Sequence, residues 1–146
     1  DLVGLVNGLY ATNDSLGGIT IIETFKTPSN NSFELTLTGQ QGDVMKESMH
    51  CAKTVVFNIL PKYLIEKLKK EDKFSIHIHC PDTATPKDGP SAGTAITLGI
   101  LSLLTGYTIK RDYALTGEID LNGNVKRIGG LSAKTFGAKY AGVKTV

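Results

Sequence analysis

Residues 93–105 form the feature that most constrains the fold, a long apolar run between Pro90 and Gly106. The run reads GTAITLGILSLLT and follows Ser91 and Ala92 directly. Its apolar side chains fall on most sides of a helix rather than along one stripe, a pattern typical of a buried helix. We therefore expect a central helix from about Ser91 to Thr105, closed by Gly106 and surrounded by the rest of the chain.

The remaining chain mixes strand and helix patterns. Runs rich in β-forming residues, bounded by turn residues, predict strands over 2–9, 19–25, 33–39 and 74–80, and 143–146 begins another. Apolar spacing predicts helices over 43–59, 61–70 and 131–142. Residues 113–128 predict a β-hairpin with Asn122-Gly123 as its turn pair. The mixture predicts one α+β domain, with small mixed sheets packed against helices.

Length and charge limit the classes of function. A chain of 146 residues has the length of a single domain and can bury a core without the help of disulfides or metals. Its formal net charge is +2 and its one basic run, KLKK at 67–70, is followed at once by KEDK. A nucleic-acid partner would require clustered basic residues, so none is expected.

The apolar runs and the cysteines indicate a compartment. No apolar stretch approaches the ~20 residues that a membrane span requires, so no membrane partner is expected. Cys51 and Cys80 lie far apart and outside any CxxC spacing, which favours buried apolar residues in a reducing compartment over a disulfide or a ligand pair. We therefore expect an intracellular soluble domain, in the cytoplasm or in an organelle matrix such as that of mitochondria.

Ser91 places a hydroxyl group at the start of the predicted buried helix, and its role there needs an explanation. Free backbone N–H groups and the positive end of the helix dipole lie there, where they would stabilise an oxyanion. Position alone leaves two interpretations open. Ser91 either caps the helix, the more common role of such a serine, or acts as a nucleophile.

A nucleophilic serine needs a base, and both histidines and lysines are available. His50 lies on a predicted helix, with nothing to mark it as more than a surface residue. His77 and His79 share one strand face without a third ligand at a suggestive spacing, which favours a structural pair over a metal site. Lys134 follows Gly129-Gly130 by one helical turn, and burial would lower its pKa and keep it neutral. The pattern alone does not choose between these bases.

Several long segments resemble one protein family in their order and spacing. They are GLVNGL at 4–9, LTLTGQQGDVMKES at 35–48, FSIHIHCPDTATPKDGPSAG at 74–93, LTGEIDLNGNVKRIGGLSAK at 115–134 and GAKYAGVKTV at 137–146. Together they resemble the proteolytic domain of the Lon protease family, of the type that carries an N-terminal ATPase in the same polypeptide. The resemblance covers nearly the whole chain.

The resemblance implies a peptidase with a Ser-Lys dyad. Ser91 falls on the serine of the family's PKDGPSAG motif and Lys134 on the lysine of its GGLxxK motif. Thr116 falls on the threonine of the TGE motif, which orients that lysine. In this scheme neutral Lys134 takes the Ser91 proton during attack on a peptide carbonyl and returns it to the leaving amine.

Further residues are implied to support this site. Asp88 is linked in the family to the conformation of the active-site loop. The backbone of Ser91 and the Asp88-Gly89 turn are the expected oxyanion donors. His77 and His79 match a strand that supports the site without binding metal, and Glu23 matches an acidic position of the first sheet.

Two differences from the family pattern concern the helix surface and the chain's extent. Ser132-Ala133 stand where many relatives carry Lys-Glu, which should leave the dyad intact. The strand and helices expected after Val146 are absent, so we expect the natural domain to be longer than 1–146.

The chain also lacks a GxxxxGK[ST] motif, the phosphate-binding loop of many ATPases. No cofactor is therefore expected in this domain, and ATP and Mg²⁺ are expected in an ATPase domain outside it.

The resemblance also implies partners. They are unfolded polypeptide substrates, the AAA+ ATPase domain of the full-length parent, and other copies of the chain in a homo-hexamer. A catalytically silent Lon-like scaffold is the main alternative, and the joint presence of Ser91, Lys134 and Thr116 argues against it. A nucleotide- or RNA-binding α+β domain would need a basic groove or a glycine-rich phosphate loop, and the sequence has neither.

Overall fold

A computed structural model describes residues 1–12, 16–71, 73–81 and 89–146 of the chain. Within them the strands are β1 (Leu5–Ala11), β2 (Gly17–Pro28), β3 (Leu35–Thr38), β4 (Phe74–His79), β5 (Glu118–Ile119) and β6 (Val125–Lys126). The helices are α1 (Asp43–Ile59), α2 (Lys62–Lys70), α3 (Gly93–Thr105) and α4 (Leu131–Tyr140). Two small sheets and packed helices confirm the predicted α+β class.

The first four strands form one mixed sheet in the order β1-β2-β4-β3. The long strand β2 pairs antiparallel with β1 through residues 17–23 and with β4 through residues 23–28. Strand β3 pairs parallel with β4. A parallel pair needs a crossover connection, and α1 and α2 supply it. Strands β5 and β6 form a separate antiparallel hairpin.

Helix α3 is the central buried helix that the sequence predicts. It packs against α1 and against the sheet face that carries Val6 and Ile22, which pair in register. Ile96 and Ile100 of α3 are completely buried. A Cβ on Gly99 of α3 would lie 3.2 Å from Val6 Cγ1, so the helix and the strand are in close contact.

Helix α4 packs against the opposite face, at one end of β1 and β2. Leu9, Ala114 and Ala138 form a second, smaller core there. The backbones approach so closely that a Cβ on Gly137 would lie 2.1 Å from the carbonyl carbon of Gly17. Only a residue without a side chain fits at this contact, which fixes α4 directly on β2.

Two predicted elements near the site differ from the structure. Helix α3 begins at Gly93 with Ala92 as its N-cap residue, so Ser91 lies just before the helix and not in its first turn. The predicted hairpin has strands of only two residues. Its turn is shifted, because the Gly123 N–H bonds the carbonyl of Asp120 and Asn122-Gly123 therefore occupy the third and fourth turn positions.

The strand predicted over 143–146 is also wrong. Thr145 makes a single parallel bridge with Tyr113, and the other three residues pair with no strand in the described part of the chain. The segment that contains Tyr113 also pairs with β1, because Leu115 forms a parallel bridge with Gly8. The remaining differences are shifts of a few residues at strand ends, where assignments commonly vary.

The two cysteines differ in burial. Cys80 is buried, as the sequence predicts, whereas Cys51 is only half-buried. In the part of the chain that the structure describes, no helix combines the length and the apolar character needed to cross a membrane.

Replacing Ile100 by Ala tests the central position of α3. Because Ile100 is completely buried, the Ile100→Ala variant should lose about 2–5 kcal/mol of unfolding free energy in urea denaturation. The matched control is Ile59→Ala, since Ile59 is 57% exposed and its truncation should change stability little. Equal unfolding midpoints for the two variants would contradict the packing described for α3.

Candidate active site

Residues 115–117 run between β1 and the start of α3 and carry Thr116. The N–H of Leu115 donates to the carbonyl of Asn7 at 2.9 Å, and the N–H of Gly117 donates to the carbonyl of Ser91 at 2.7 Å. The N–H of Thr94 donates in return to the carbonyl of Gly117 at 3.0 Å. Backbone hydrogen bonds on both sides therefore hold Thr116 beside Ser91.

Gly117 permits this close approach because it has no side chain. Its φ is +158°, and a Cβ there would lie 2.8 Å from Thr94 Oγ1 and 2.6 Å from Val125 Cγ1. Any side chain at this position would push the segment away from α3, so the glycine is a requirement of the site's backbone.

Lys134 reaches the same place from α4. The helix starts after Gly130, whose φ is +69°, and the Lys134 N–H donates to the Gly130 carbonyl at 3.0 Å in the first helical turn. The side chain points inward, and the residue is only 5% exposed. Its Nζ lies 3.0 Å from Ser91 Oγ and 3.3 Å from Thr116 Oγ1. Three predicted residues thus meet around one amine.

Burial shifts the proton equilibrium of this amine. It lowers the pKa of Lys134 from its ordinary value of 10.5, because a charged ammonium loses water that the protein does not replace. Neither ion pair formed by the described residues includes Lys134. No carboxylate in that part of the chain therefore counteracts the effect of burial on the pKa of Lys134.

The capping interpretation of Ser91 is wrong. The N-cap residue of α3 is Ala92, and no side chain caps the helix. The Ser91 hydroxyl instead contacts the Lys134 amine. The N–H groups of Ser91 and Ala92 meet no acceptor among the described residues.

His77 and His79 are both within hydrogen-bond distance of one residue on a neighbouring strand. Thr38 Oγ1 lies 2.8 Å from His77 Nε2 and 2.6 Å from His79 Nδ1, on the neighbouring strand β3. Glu23 pairs with His79 in register and shares its sheet face. No hydrogen bond between described residues joins Glu23 or either histidine to Ser91 or Lys134.

Two further predictions concern metal binding and the loop before Ser91. In the described part of the chain, no three His, Cys, Asp or Glu side chains are grouped so that they could hold a metal ion. Asp88 lies outside the described residues. Gly89, the first residue after that gap, has φ +127°, and no described atom lies within 4 Å of the position that a Cβ on it would take.

Two contacts in and near the site were not predicted from the sequence. Thr38 joins the two histidines although it lies 39 and 41 residues before them, so no local pattern indicates the contact. The backbone contact between Gly17 and Gly137 fixes α4, and hence Lys134, on the sheet. The adjacent glycines Gly17-Gly18 at the start of β2 were the one available signal, since a glycine inside a strand often marks close backbone approach.

Comparison with known proteins identifies one family over the whole chain. The family described as the Lon protease (S16) C-terminal proteolytic domain matches residues 1–146. The Lon protease of Fusobacterium nucleatum subsp. nucleatum is 47% identical over 148 residues, covering 99% of this chain and 18% of that protein. The Lon protease of Borrelia duttonii is 48% identical over 144 residues, covering 98% of this chain and 17% of that protein.

A viral relative matches over the same region. The Lon protease homolog of Acanthamoeba polyphaga mimivirus is 42% identical over 151 residues, covering 100% of this chain and 15% of that protein. The chain therefore spans less than a fifth of the length of these curated relatives.

The lowered pKa of Lys134 predicts a specific pH dependence of stability. Below its folded pKa the buried amine is charged in both states, and the fold carries the full cost of that charge. Between the folded pKa and 10.5 the unfolded chain binds more protons, so the unfolding free energy should rise with pH in this window. Urea denaturation across the alkaline range, with Lys134→Met as the comparison, measures the effect. The same pH dependence in both chains would show that Lys134 is not desolvated.

Proposed function

The chain belongs to the Lon protease (S16) C-terminal proteolytic domain family, and from that premise we propose that it is a serine endopeptidase domain. Its nucleophile is Ser91 and its general base is Lys134. The observation that carries the proposal is the 3.0 Å approach of a buried Lys134 amine to the Ser91 hydroxyl. The alternative of a catalytically silent scaffold gives no reason to bury an amine against a hydroxyl.

The first half of the reaction forms an acyl-enzyme. Neutral Lys134 accepts the Ser91 proton while Ser91 Oγ attacks the carbonyl carbon of the peptide bond. The tetrahedral intermediate collapses when the Lys134 ammonium gives its proton to the leaving amine. The amine product departs, and Ser91 carries the acyl group as an ester.

The second half restores the enzyme. A water molecule gives a proton to Lys134 and attacks the ester carbonyl. The ammonium then protonates Ser91 Oγ as the carboxylic acid product leaves. Burial keeps the ammonium short-lived, because the desolvated amine releases its proton more readily than an exposed lysine does.

Thr116 serves as a positioning residue for the amine. Its Oγ1 lies 3.3 Å from Lys134 Nζ and accepts a hydrogen bond from it. The backbone bonds of Leu115 and Gly117 fix Thr116 on both sides. This leaves the lone pair of the neutral amine directed at Ser91.

The histidines are less suited to act as the base. His77 and His79 both engage Thr38, and His50 is exposed on α1. We propose that His77, His79 and Glu23 support the sheet from which the chain leads to Ser91. For the oxyanion, the backbone N–H groups of Ser91 and of the Asp88-Gly89 turn are the proposed donors, and their position ahead of α3 favours that role.

The activity of a longer parent protein extends this proposal. The relatives named Lon protease are more than five times as long as the matched segment, which leaves room for an ATPase domain. We propose that such an AAA+ domain uses ATP and Mg²⁺ and delivers unfolded polypeptides to Ser91. A homo-hexameric assembly in an intracellular compartment belongs to the same proposal.

Variants of the dyad test the assignment. Ser91→Ala and Lys134→Met should each reduce cleavage of an unfolded protein and of a fluorogenic peptide by at least about 10²–10⁴-fold, the usual contribution of general base catalysis. Ser132→Ala and Lys139→Met are matched controls, because both residues are exposed on α4, and they should retain activity. A folded Lys134→Met chain that still cleaves would identify another residue as the base.

The pH profile tests the neutral form of the lysine. Because only neutral Lys134 accepts the Ser91 proton, kcat/KM should rise with pH through the lowered pKa of Lys134 and then level off. In Thr116→Val the ammonium loses a hydrogen-bond acceptor, so the rising limb should move to lower pH and the plateau should fall. A limb at the same pH in both chains would rule out the proposed contact between Thr116 and the amine.

A further inference from the structure

One carboxylate organises the turn between β5 and β6. Asp120 Oδ1 accepts the N–H of Asn122 at 3.0 Å and the N–H of Asn124 at 2.9 Å. Its Oδ2 accepts from Asn124 Nδ2 at 3.2 Å and lies 3.4 Å from Lys126 Nζ. The backbone closes the same turn, with the Gly123 N–H donating to the Asp120 carbonyl at 3.0 Å. Aspartate and glycine are favoured at the first and fourth positions of such turns.

The turn contains the pair Asn122-Gly123, which has the chemistry for an intramolecular reaction. When the Gly123 N–H loses its proton, the nitrogen is a nucleophile placed to attack the Asn122 side-chain amide and close a five-membered ring. Gly123 has no Cβ to crowd this approach, and among the described atoms the nearest to such a Cβ would be Val55 Cγ1 at 3.8 Å. Asn122 itself is exposed.

We propose that Asn122 is a site of spontaneous backbone modification, where deamidation through a succinimide yields aspartate and isoaspartate at a rate set by Asp120. The Gly123 proton goes to a solvent base, the bond from Gly123 N to Asn122 Cγ forms, and the bond from Cγ to Nδ2 breaks. The amide nitrogen leaves as ammonia after taking one proton from water, which balances the proton lost by Gly123. Water then opens the ring at either carbonyl, and no oxidant or reductant takes part.

Asp120 restrains this reaction because its hydrogen bonds hold both reacting residues. The Gly123 N–H must leave the Asp120 carbonyl before its nitrogen attacks, and the Asn122 backbone is tied to the Asp120 carboxylate. The Asn124 N–H, above all, keeps the pKa of Asp120 below its ordinary value of 3.8. The restraint is therefore present throughout the neutral pH range.

The modification acts on the element that follows Thr116 and Gly117. Isoaspartate adds a methylene to the main chain, and either product adds a carboxylate close to Asp120. Both changes disturb the pairing of Glu118 with Lys126 and of Ile119 with Val125. Ile119 lies against the start of α3, since a Cβ on Gly93 would be 2.9 Å from Ile119 Cγ2. The loosened hairpin therefore borders the backbone that carries Ser91.

Peptide mapping by mass spectrometry tests the proposal on the intact chain, incubated at mildly alkaline pH. Asn122 should convert to aspartate and isoaspartate at least about tenfold faster than Asn124, which lies in the same loop but precedes the β-branched, stiffer Val125. In the modified fraction, amide hydrogen exchange should accelerate at Asp120 and Gly123. Conversion of Asn122 no faster than that of Asn124 would overturn the proposal.

Variants separate the role of Asp120 from general loosening. Asp120→Ala should raise the rate at Asn122 about tenfold, as expected from the loss of charge-assisted hydrogen bonds that hold the turn. Glu118→Ala removes a neighbouring carboxylate that makes none of these turn bonds and should leave the rate unchanged. Asn122→Gln should abolish the product, because the longer side chain closes the ring far less readily. If Asp120→Ala unfolds the hairpin, Gly123→Ala tests the same reaction, because its added Cβ should slow ring closure at Asn122. An unchanged rate in a folded Asp120→Ala chain, or in Gly123→Ala, would contradict the inference.

Discussion

The burial of the Lys134 amine against the Ser91 hydroxyl is the interaction on which the site depends. An ammonium removed from water is costly unless it is paired, and burial lowers the pKa of Lys134 accordingly. In the proposed mechanism, the same burial gives Ser91 a neutral base at hydrogen-bond distance. The contact joins residues that lie 43 positions apart in the sequence.

The contact is maintained mainly by backbone packing. Gly17 and Gly137 let α4 lie directly on β2, and Gly117 lets the segment carrying Thr116 approach the start of α3. Helix α3 is in turn fixed by its burial in the core. The packing of α3, α4 and β2 therefore sets the distance between the serine and the lysine.

The sequence predicted those parts of the molecule that local patterns determine. The helix over 43–59 agrees with α1 because its period is long and regular, and the apolar run identified α3 as buried. The pairing of Ser91 with Lys134 followed from family resemblance, since the burial of Lys134 arises from a contact between Gly137 and a strand over a hundred residues earlier. The shifted turn of β5 and β6 depends on Asp120, whose hydrogen bonds no Asn-Gly rule anticipates. The roles assigned to Asp88, Glu23 and the two histidines stay predictions.

NMR titration of the Lys134 ε-carbon in the intact chain tests the central claim most directly. The same chain unfolded in urea provides the reference. We expect Lys134 to titrate at a clearly lower pH in the folded chain than in the unfolded chain, and this difference to shrink when Gly137 is replaced by a larger residue that lifts α4 from β2. Equal titration of Lys134 in the folded and unfolded chains would mean that the amine is charged and hydrated, and that it is not the base for Ser91.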